Sequence, residues 1–528
     1  MTETDYIVAD QTGIAAFLAD AATHGGAPVE RIDTYAAMVF LVGDTVYKVK
    51  RAVRYSFMDF STLAKREAAL RAELTLNRRT APDLYRAVVA ITREAGGGLA
   101  LDGGGTPVEW ALVMRRFDQD GLFDRLAERG ALTAGQVRDA VAATARLHAG
   151  AEIVTAPPAK GGSGVGLAGT IVEIVDELAE RPDLIDAEAR AALGEALHAA
   201  LAAETPLLDR RRADGMVRRG HGDLHLANIA LVDGTATLFD CIEFNDAIAT
   251  VDVLYDVAFL LMDLGHRGLR PLANVALNAY IPAAPGGAAA TLEALAALPL
   301  MLSLRVGIRA MVDSKAGATQ AEPAARQAFD DAARAYFAEA RAYLDPAPPR
   351  LVAVGGLSGT GKSTLARALA PALGRAPGAV HLRSDVVRKE LWGVPETEKL
   401  PAEAYARAVS DRVYAEMHAR ARLALQAGQA VVFDAVSSDP AGRADLRALA
   451  EAAGAPFTGF WLDAPEVVLK QRVTARTGDA SDADAAVVDL QVREETGPID
   501  WQRIDAGGGP DSVRNAAFRL LGAAGQTG

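Results

Sequence analysis

Residues 356–363 read Gly356-Leu-Ser358-Gly359-Thr360-Gly361-Lys362-Ser363, the spacing G-x4-G-K-[ST], between the apolar run LVAVGG and the helical run TLARALAPAL. Chemistry follows from the residue types. Glycines allow backbone N–H groups to turn toward phosphate oxygens, Lys362 brings a point charge to the β/γ-phosphates, and Ser363 can ligand magnesium. The helix that starts there adds the positive end of its dipole. Ser358, Thr360 and Thr364 complete the expected nucleotide contacts, and the nucleotide is ATP or GTP.

Further along, Asp385 follows the apolar run VHLR and Asp434 ends AVVFD, which places both at the carboxyl ends of strands, where open α/β sheets hold ligands. Asp385 is expected to take a proton from an acceptor hydroxyl or to stand near the metal. Asp434 can bind magnesium through water; as an alternative for each acid, it caps the next helix. Arg472 and Arg476 lie four apart in PEVVLKQRVTART, so one helical face would present both guanidinium groups to a transferring phosphoryl group. This order of parts resembles the small P-loop kinases of the gluconate kinase, chloramphenicol phosphotransferase and zeta-toxin groups. The resemblance implies Asp385 as base, Arg388 as a substrate contact, and Arg472 and Arg476 as lid arginines.

The amino-terminal half carries a second constellation. His221-Gly-Asp223-Leu-His225-Leu-Ala-Asn228 fits H-x-D-x4-N, and Asp240 follows twelve residues later in LFDCIEF. Between them, Asp233-Gly234 is the pair favoured in a tight hairpin turn, so that if 232 opposes 235, then 228 opposes 239. Asn228 and Asp240 then emerge at one open end, where an amide oxygen and a carboxylate can share magnesium, with Asp223 placed to accept the proton of an attacking hydroxyl.

These residues resemble the catalytic loop of the aminoglycoside phosphotransferase and choline kinase group, distant relatives of protein kinases. The resemblance implies Asp223 as catalytic base, Asn228 and Asp240 as metal ligands, and His221 and His225 as supports. It also implies a strand lysine and a helical glutamate. TVYKVKR supplies Lys48 and Lys50 on one face of a strand, and STLAKREAALRAELTLNRR supplies Glu67 and Glu73. Lys48 and Glu73 are the favoured pair. Met114 to Phe117 is the expected hinge at the adenine, Asp252 and Asp256 are expected in support, and the segment Leu41-Val-Gly43-Asp is the nearest counterpart of a phosphate-covering loop.

The elements that must position these groups can be read from periodicity. Residues from about Tyr35 to Met114 alternate as strands around a helical segment at Thr62 to Asn77, and the pattern after Leu122 is mainly helical. The glycine-rich stretch 157–169 has no strand before it and reads as a surface loop. Three prolines at Leu344 to Arg350 mark a seam, after which strand-like and helix-length runs alternate as in a parallel sheet. The expected organisation is a kinase-like amino lobe at 1–120, a helical carboxy lobe at 121–345, a linker at 346–350 and a P-loop domain at 351–528. In fold class this is a mixed α/β and α+β multidomain chain: a bilobal protein-kinase-like domain followed by a doubly wound parallel sheet.

Composition narrows the partners. The 55 Lys and Arg against 68 Asp and Glu give a net charge of −13, which disfavours nucleic acid. The same balance fits a cationic acceptor such as an amino sugar or aminoglycoside. The single cysteine, Cys241, can form no internal disulfide, the first residues lack a secretory pattern, and the apolar stretch Ala288–Leu304 is broken by Glu293 and Pro299. The expectation is a cytoplasmic, magnesium-dependent ATP phosphotransferase with two sites, acting on a small hydroxyl-bearing molecule, with no membrane or nucleic-acid partner. The oligomeric state has no sequence signal. The order of the halves resembles a group of bacterial fusion proteins of phosphotransferase-like and P-loop kinase-like domains. Two other readings stand beside it: a single phosphotransferase gated by a P-loop switch, and a toxin-like nucleotide-sugar kinase controlled by the amino half.

Overall fold

The computed structural model describes residues 6–55, 58–156, 166–320, 322–476 and 478–524. The chain divides into two compact units: Met1–Arg267 with Ala283–Pro285 and Leu300–Leu344, and Asp345–Gly528 with Gly268–Pro282 and Gly286–Pro299.

In the first unit, β1 (Val29–Asp33), β2 (Ala37–Val42), β3 (Thr45–Lys50), β4 (Tyr85–Arg93), β5 (Leu99–Leu101) and β6 (Thr106–Arg115) form an antiparallel sheet in the order β1-β2-β3-β6-β4-β5. Both faces are covered. Phe40, Val49 and Ile91 pack with the helix Thr12–Ala19, while Leu41, Val46 and Leu112 pack with Leu70 of the helix Leu63–Asn77. This second helix begins where sequence places it, because the Thr62 side chain accepts from Lys65 N. Its buried stripe is Arg66, Leu70, Glu73 and Asn77, a spacing of three and four that puts one charged and polar row against the sheet. Arg66 is tied there by Glu109 of β6 at 2.8 Å, and Gln11 donates to the same carboxylate at 2.8 Å.

A helical part follows, with two small ladders: β7 (Val217–Arg219) beside β10 (Thr250–Asp252), and the hairpin of β8 (Ile229–Val232) and β9 (Thr235–Leu238). Of the glycine-rich stretch 157–169, residues 157–165 lie outside the described residues. Residues 166–169 open the helix Gly166–Ala179, where the sequence reading has a loop. The apolar stretch Ala288–Leu304 falls in the helical run Gly287–Thr319, whose most apolar window is 67% buried.

The second unit is built on a parallel sheet of β11 (Leu351–Gly356), β12 (Val380–Arg383), β13 (Val431–Asp434), β14 (Phe457–Asp463) and β15 (Gln502–Asp505), in the order β12-β13-β11-β14-β15. Every residue of β11 is buried, which explains its unbroken apolar spelling. Val352, Val354, Phe460 and Leu462 pack against Leu365 and Leu369 of the helix Lys362–Leu369 and against Val513.

The compact units divide the chain differently from the expected boundaries. The 121–345 assignment runs through Gly268–Pro282 and Gly286–Pro299, yet both segments pack in the second unit. Their place follows from edge chemistry. β12 is a terminal strand, and an uncovered edge leaves backbone groups without partners. The helix Arg270–Ala283 supplies them: Asn274 and Asn278 donate to the Ala379 carbonyl at 2.9 and 3.2 Å, and Asn278 Oδ1 accepts from His381 N at 2.7 Å. Asn274 is 5% exposed. A fragment spanning 350–528 is therefore expected to melt several degrees below one spanning 268–528, because it lacks these bonds and the apolar cover of the two helices. Circular dichroism melts of the two fragments check this, and equal melting temperatures would refute it.

Candidate functional site

Lys48 and Lys50 share one face of β3, opposite Val39 and Ala37 of β2. Glu73, on the helix that crosses this face, is fully buried and takes both: Lys48 Nζ lies 2.7 Å from one carboxylate oxygen and Lys50 Nζ 2.6 Å from the other. Lys48 also reaches Asp240 at 2.7 Å, whereas Lys50 turns to Glu243 at 2.5 Å. Burial opposes charge on Lys48, but Asp240 and Glu73 outweigh it and hold the ammonium well above its ordinary proton affinity. Of the two lysines, Lys48 is thus the one joined to the candidate metal acid. Glu67 instead pairs with Arg71 along the helix surface.

The hairpin has the register that its turn residues dictate. Asp233 and Gly234 both have positive φ, Val232 pairs with Thr235, and Phe239 N donates to Asn228 O. Asn228 and Asp240 consequently leave the same end. Asn228 donates through Nδ2 to Asp223 Oδ2 at 2.9 Å. Asp240 has φ +61°, an uncommon backbone state for a non-glycine residue, and is held by Asp240 N donating to Tyr85 Oη and by Cys241 N donating to Asn77 Oδ1.

The loop of Asp223 is clamped from below. Asp256, fully buried on the helix Val253–His266, accepts from His221 N at 2.7 Å and Gly222 N at 2.9 Å and contacts His148 Nε2 at 3.1 Å. Asp263 on the same helix accepts from Leu226 N at 2.9 Å. Asp252 is paired with Arg211 at 2.7 Å, away from the loop backbone. The protein around Asp223 withdraws water and so favours its protonated form, but His225, at 3.2 Å, with His221 and Arg305 holds the half-exposed carboxylate well below the usual carboxylate range. His225 therefore lies beside the candidate base, as a neighbour rather than a remote support.

The expected counterpart of a phosphate-covering loop lies elsewhere than at Gly43. Gly43 and Asp44 close β2 to β3 at the end of the ladder far from Lys50, while Thr34–Ala36 joins β1 to β2 at the Lys50 end. Met114 and Arg115 end β6, and Phe117 meets Phe239 edge-on at 5.2 Å, next to Asp240.

In the second unit, Gly356, Gly359 and Gly361 have φ of 131°, 87° and 91°, and the helix begins at Lys362. A Cβ at Gly359 would come within 2.7 Å of Leu469 O, so only glycine fits. Lys362 Nζ donates to Leu357 O at 2.9 Å, Thr360 Oγ1 donates to the same carbonyl, and Ser358 N donates to Gln491 Oε1. Burial lowers the proton affinity of Lys362. Ser363 and Thr364 occupy the first turn, and a cleft lined by Thr360, Thr364, Arg472 and Pro510 opens beside it.

Arg383 and Asp434 are register partners, so Asp385 and Asp434 emerge at the carboxyl ends of neighbouring strands. Asp434 is nearly fully buried and contacts His381 Nε2 at 3.1 Å; despite burial, His381, Arg383 and Lys362 keep it ionised. Burial pushes Asp385 the other way, toward holding a proton. Neither acid caps its following helix through its side chain: the helix Ser384–Trp392 has no such cap, and the helix Pro440–Ala452 is capped by Asp439.

The arginine pair is not one helical face. The helix Glu466–Ala475 ends before Arg476, which is extended; Arg472 donates to the carbonyls of Ala506 and Gly508, and Arg476 to those of Ser481 and Ala483. Arg388 holds the segment ahead of the next helix, donating to Ala404 O at 2.6 Å.

The residues missed by the sequence reading are Glu243, Tyr35 and His381. Glu243 had a signal, lying three residues after Asp240 in LFDCIEF. His381 had only its parity with Arg383 on an alternating strand.

Two outcomes follow. Asp256→Ala would orphan two backbone N–H groups and take an acid away from His148, lowering the stability of the first unit by about 3–5 kcal/mol in urea titrations; a loss under about 1 kcal/mol would contradict the clamp. His225→Gln removes a cation that lowers the proton affinity of Asp223. The acid limb of kcat/KM should then move to higher pH, and an unmoved limb would count against Asp223 as the titrating base.

Comparison with known proteins agrees with this geometry. Residues 38–298 match the Phosphotransferase enzyme family and residues 351–498 match an AAA domain. An uncharacterized protein of Mycobacterium tuberculosis is 30% identical over 496 residues, spanning 92% of this chain and 94% of that protein. A choline/ethanolamine kinase family protein from Mesorhizobium loti is 16% identical, covering 65% of this chain and 99% of that one, with a TM-score of 0.37. A gluconokinase from Sinorhizobium meliloti is 22% identical, covering 34% and 98%, with a TM-score of 0.24. The chain thus belongs to the family that joins a phosphotransferase-enzyme domain to an AAA-type P-loop kinase domain, and it is an ATP-dependent kinase.

Proposed function

We propose that the first unit transfers the γ-phosphoryl group of ATP, with magnesium, to a hydroxyl of a small molecule, and that Lys362 serves a second phosphoryl-transfer site. The observation that carries the reading is the junction at Lys48, whose ammonium joins Glu73 to Asp240 at 2.7 Å each while Asn228 binds Asp223 at 2.9 Å.

Charge supports the metal. Two lysines face three carboxylates, Glu73, Asp240 and Glu243, and this excess of negative charge suits a cation. Asn228 and Asp240 would hold it, a small donor set of the kind Mg2+ uses when phosphate oxygens complete its shell. Bound there, magnesium would neutralise charge on the β- and γ-phosphates. Lys48 adds its own charge to the phosphates, Glu73 fixes its direction, and Asp223 takes the proton from the attacking hydroxyl. Arg309 and His225 lie near Asp223, so a neutral or anionic acceptor suits this neighbourhood better than the polycation that net charge suggests.

In the second unit, Lys362, Ser363 and Asp434 are the proposed phosphate and metal groups. Asp385 is the proposed base, its proton affinity raised by burial toward the range in which a base works. Arg472 and Arg476 act there by closing the loops they bond. One observation favours the switch alternative: residues 268–282, which follow the helix holding the Asp223 loop, pack in the P-loop unit.

A metabolite panel with Mg-ATP, read by product mass, tests both readings. Asp223→Ala should remove one product, lowering its rate by about a hundredfold or more, and Asp385→Ala and Lys362→Ala should remove another. If Lys362→Ala alters only the rate of the Asp223-dependent product, the switch reading replaces the second site.

A further inference from the structure

Thr34–Ala36 forms a tight connection between β1 and β2: Thr34 N donates to Ala37 O at 2.9 Å and Ala37 N donates to Thr34 Oγ1 at 3.0 Å. The turn is fastened to the end of β3, where Arg51 N donates to Ala36 O at 2.8 Å and an Arg51 guanidinium nitrogen donates to Thr34 O at 3.0 Å. Register then gives its place. Ala37 opposes Lys50 and Val39 opposes Lys48, and opposed residues of an antiparallel pair share a face. Tyr35 lies in the turn two residues before Ala37, at the Lys50 end of the row that carries both lysines.

Tyr35 is 57% exposed, so its ring and hydroxyl are open to a ligand. Its ring meets Tyr55 edge-on at 6.2 Å, and Tyr55 in turn meets Tyr6 at a tilt at 4.6 Å, so a short row of aromatic contacts sets the ring. Ala36 and Tyr55 share a small cluster with Phe244, the neighbour of Glu243, which brings the turn to the segment that carries Asp240. Charges of Asp223, Asp240, Glu243 and Lys48 all reach the phenol. A single hydroxyl thus overlooks the base, the metal acid and the phosphate lysine.

We propose that Tyr35 closes the Lys48–Asp240 site over the transferring phosphate, its hydroxyl donating a hydrogen bond to a γ-phosphoryl oxygen and its ring excluding water. The inference rests on the phosphotransfer reading of the first unit and assigns the covering role there to an aromatic turn in place of glycines. In the reaction the acceptor oxygen bonds to the γ-phosphorus as the bond to the β,γ-bridging oxygen breaks. The acceptor proton passes to Asp223 and ADP leaves with the electron pair. Tyr35 exchanges no atom; it stabilises charge that spreads over the equatorial oxygens. A phenol keeps its proton at neutral pH, so Tyr35 remains a donor there.

The test uses the full chain carrying Lys362→Ala, which silences the P-loop site. Tyrosine nitration by tetranitromethane is followed by peptide mass with and without saturating Mg-adenylyl imidodiphosphate, whose binding stoichiometry is measured in parallel. Bound analogue should slow nitration at Tyr35 by about fivefold or more, as expected of a ring covered by ligand. In the same background, Tyr35→Phe keeps the ring and its stacking but loses the donor. Asp223-dependent ATP hydrolysis should fall about tenfold with KM for ATP nearly unchanged, the pattern of an interaction made in the transition state. Stoichiometric binding with unchanged nitration at Tyr35, or full activity in Tyr35→Phe, overturns the role of Tyr35 alone. A Lys362→Ala chain that binds no nucleotide overturns the first-site reading and the inference together.

Discussion

The first unit depends on one buried carboxylate. Glu73 is fully buried, and removing a carboxylate from water is costly unless cations and donors replace that water. Lys48 and Lys50 do so, one on each oxygen, and each lysine has a second acidic partner in Asp240 or Glu243. The requirement is mutual: neither lysine can leave without stranding Glu73, and Glu73 can hold both only if the helix Leu63–Asn77 crosses β3 at this height. The Arg66–Glu109–Gln11 cluster sets that height from the other end of the helix. Bonds that look remote from phosphate chemistry therefore fix where the phosphate lysine points.

Below this junction the loop of Asp223 has no regular ladder of its own, so its backbone groups must find side chains. Asp256 and Asp263, seven residues apart and so on one helical face, take three of its N–H groups. A loop held this way can keep Asp223 at a set distance from Asn228 while its carboxylate stays partly exposed. The same solution appears in the second unit, where Asn274 and Asn278 satisfy the edge of β12 and His381 on that strand meets Asp434. In both, carboxylates or amides on a rigid helix stand in for missing strand partners, next to a group proposed for phosphoryl transfer.

Local geometry was highly legible where chain chemistry is short-range. The Asp233-Gly234 turn sets the β8–β9 register because only certain residues accept its positive φ, and Asn228 and Asp240 follow from counting. The P-loop is legible for the same reason, as its glycines answer steric needs within a few residues. The arginine pair fails where local rules stop: helical spacing holds only while the helix continues, and the chain leaves it at Ala475. The 157–169 stretch fails partly by the same logic, since glycine weakens a helix without forbidding one, and the helix from Gly166 to Ala179 has an apolar face to bury.

By itself, the sequence determined two phosphate-handling motifs, their order along the chain, the strand that bears the lysines and the hairpin that joins Asn228 to Asp240. Each is written in residues close together, where turn sterics and side-chain periodicity act without reference to the rest of the molecule. Tertiary structure decided the remainder. It made Lys48 the partner of Asp240 and Lys50 that of Glu243, brought His225 against Asp223 and packed residues 268–282 and 286–299 in the second unit. Those outcomes rest on burial of charge and of unpaired backbone, which is settled only when distant segments meet and water has left.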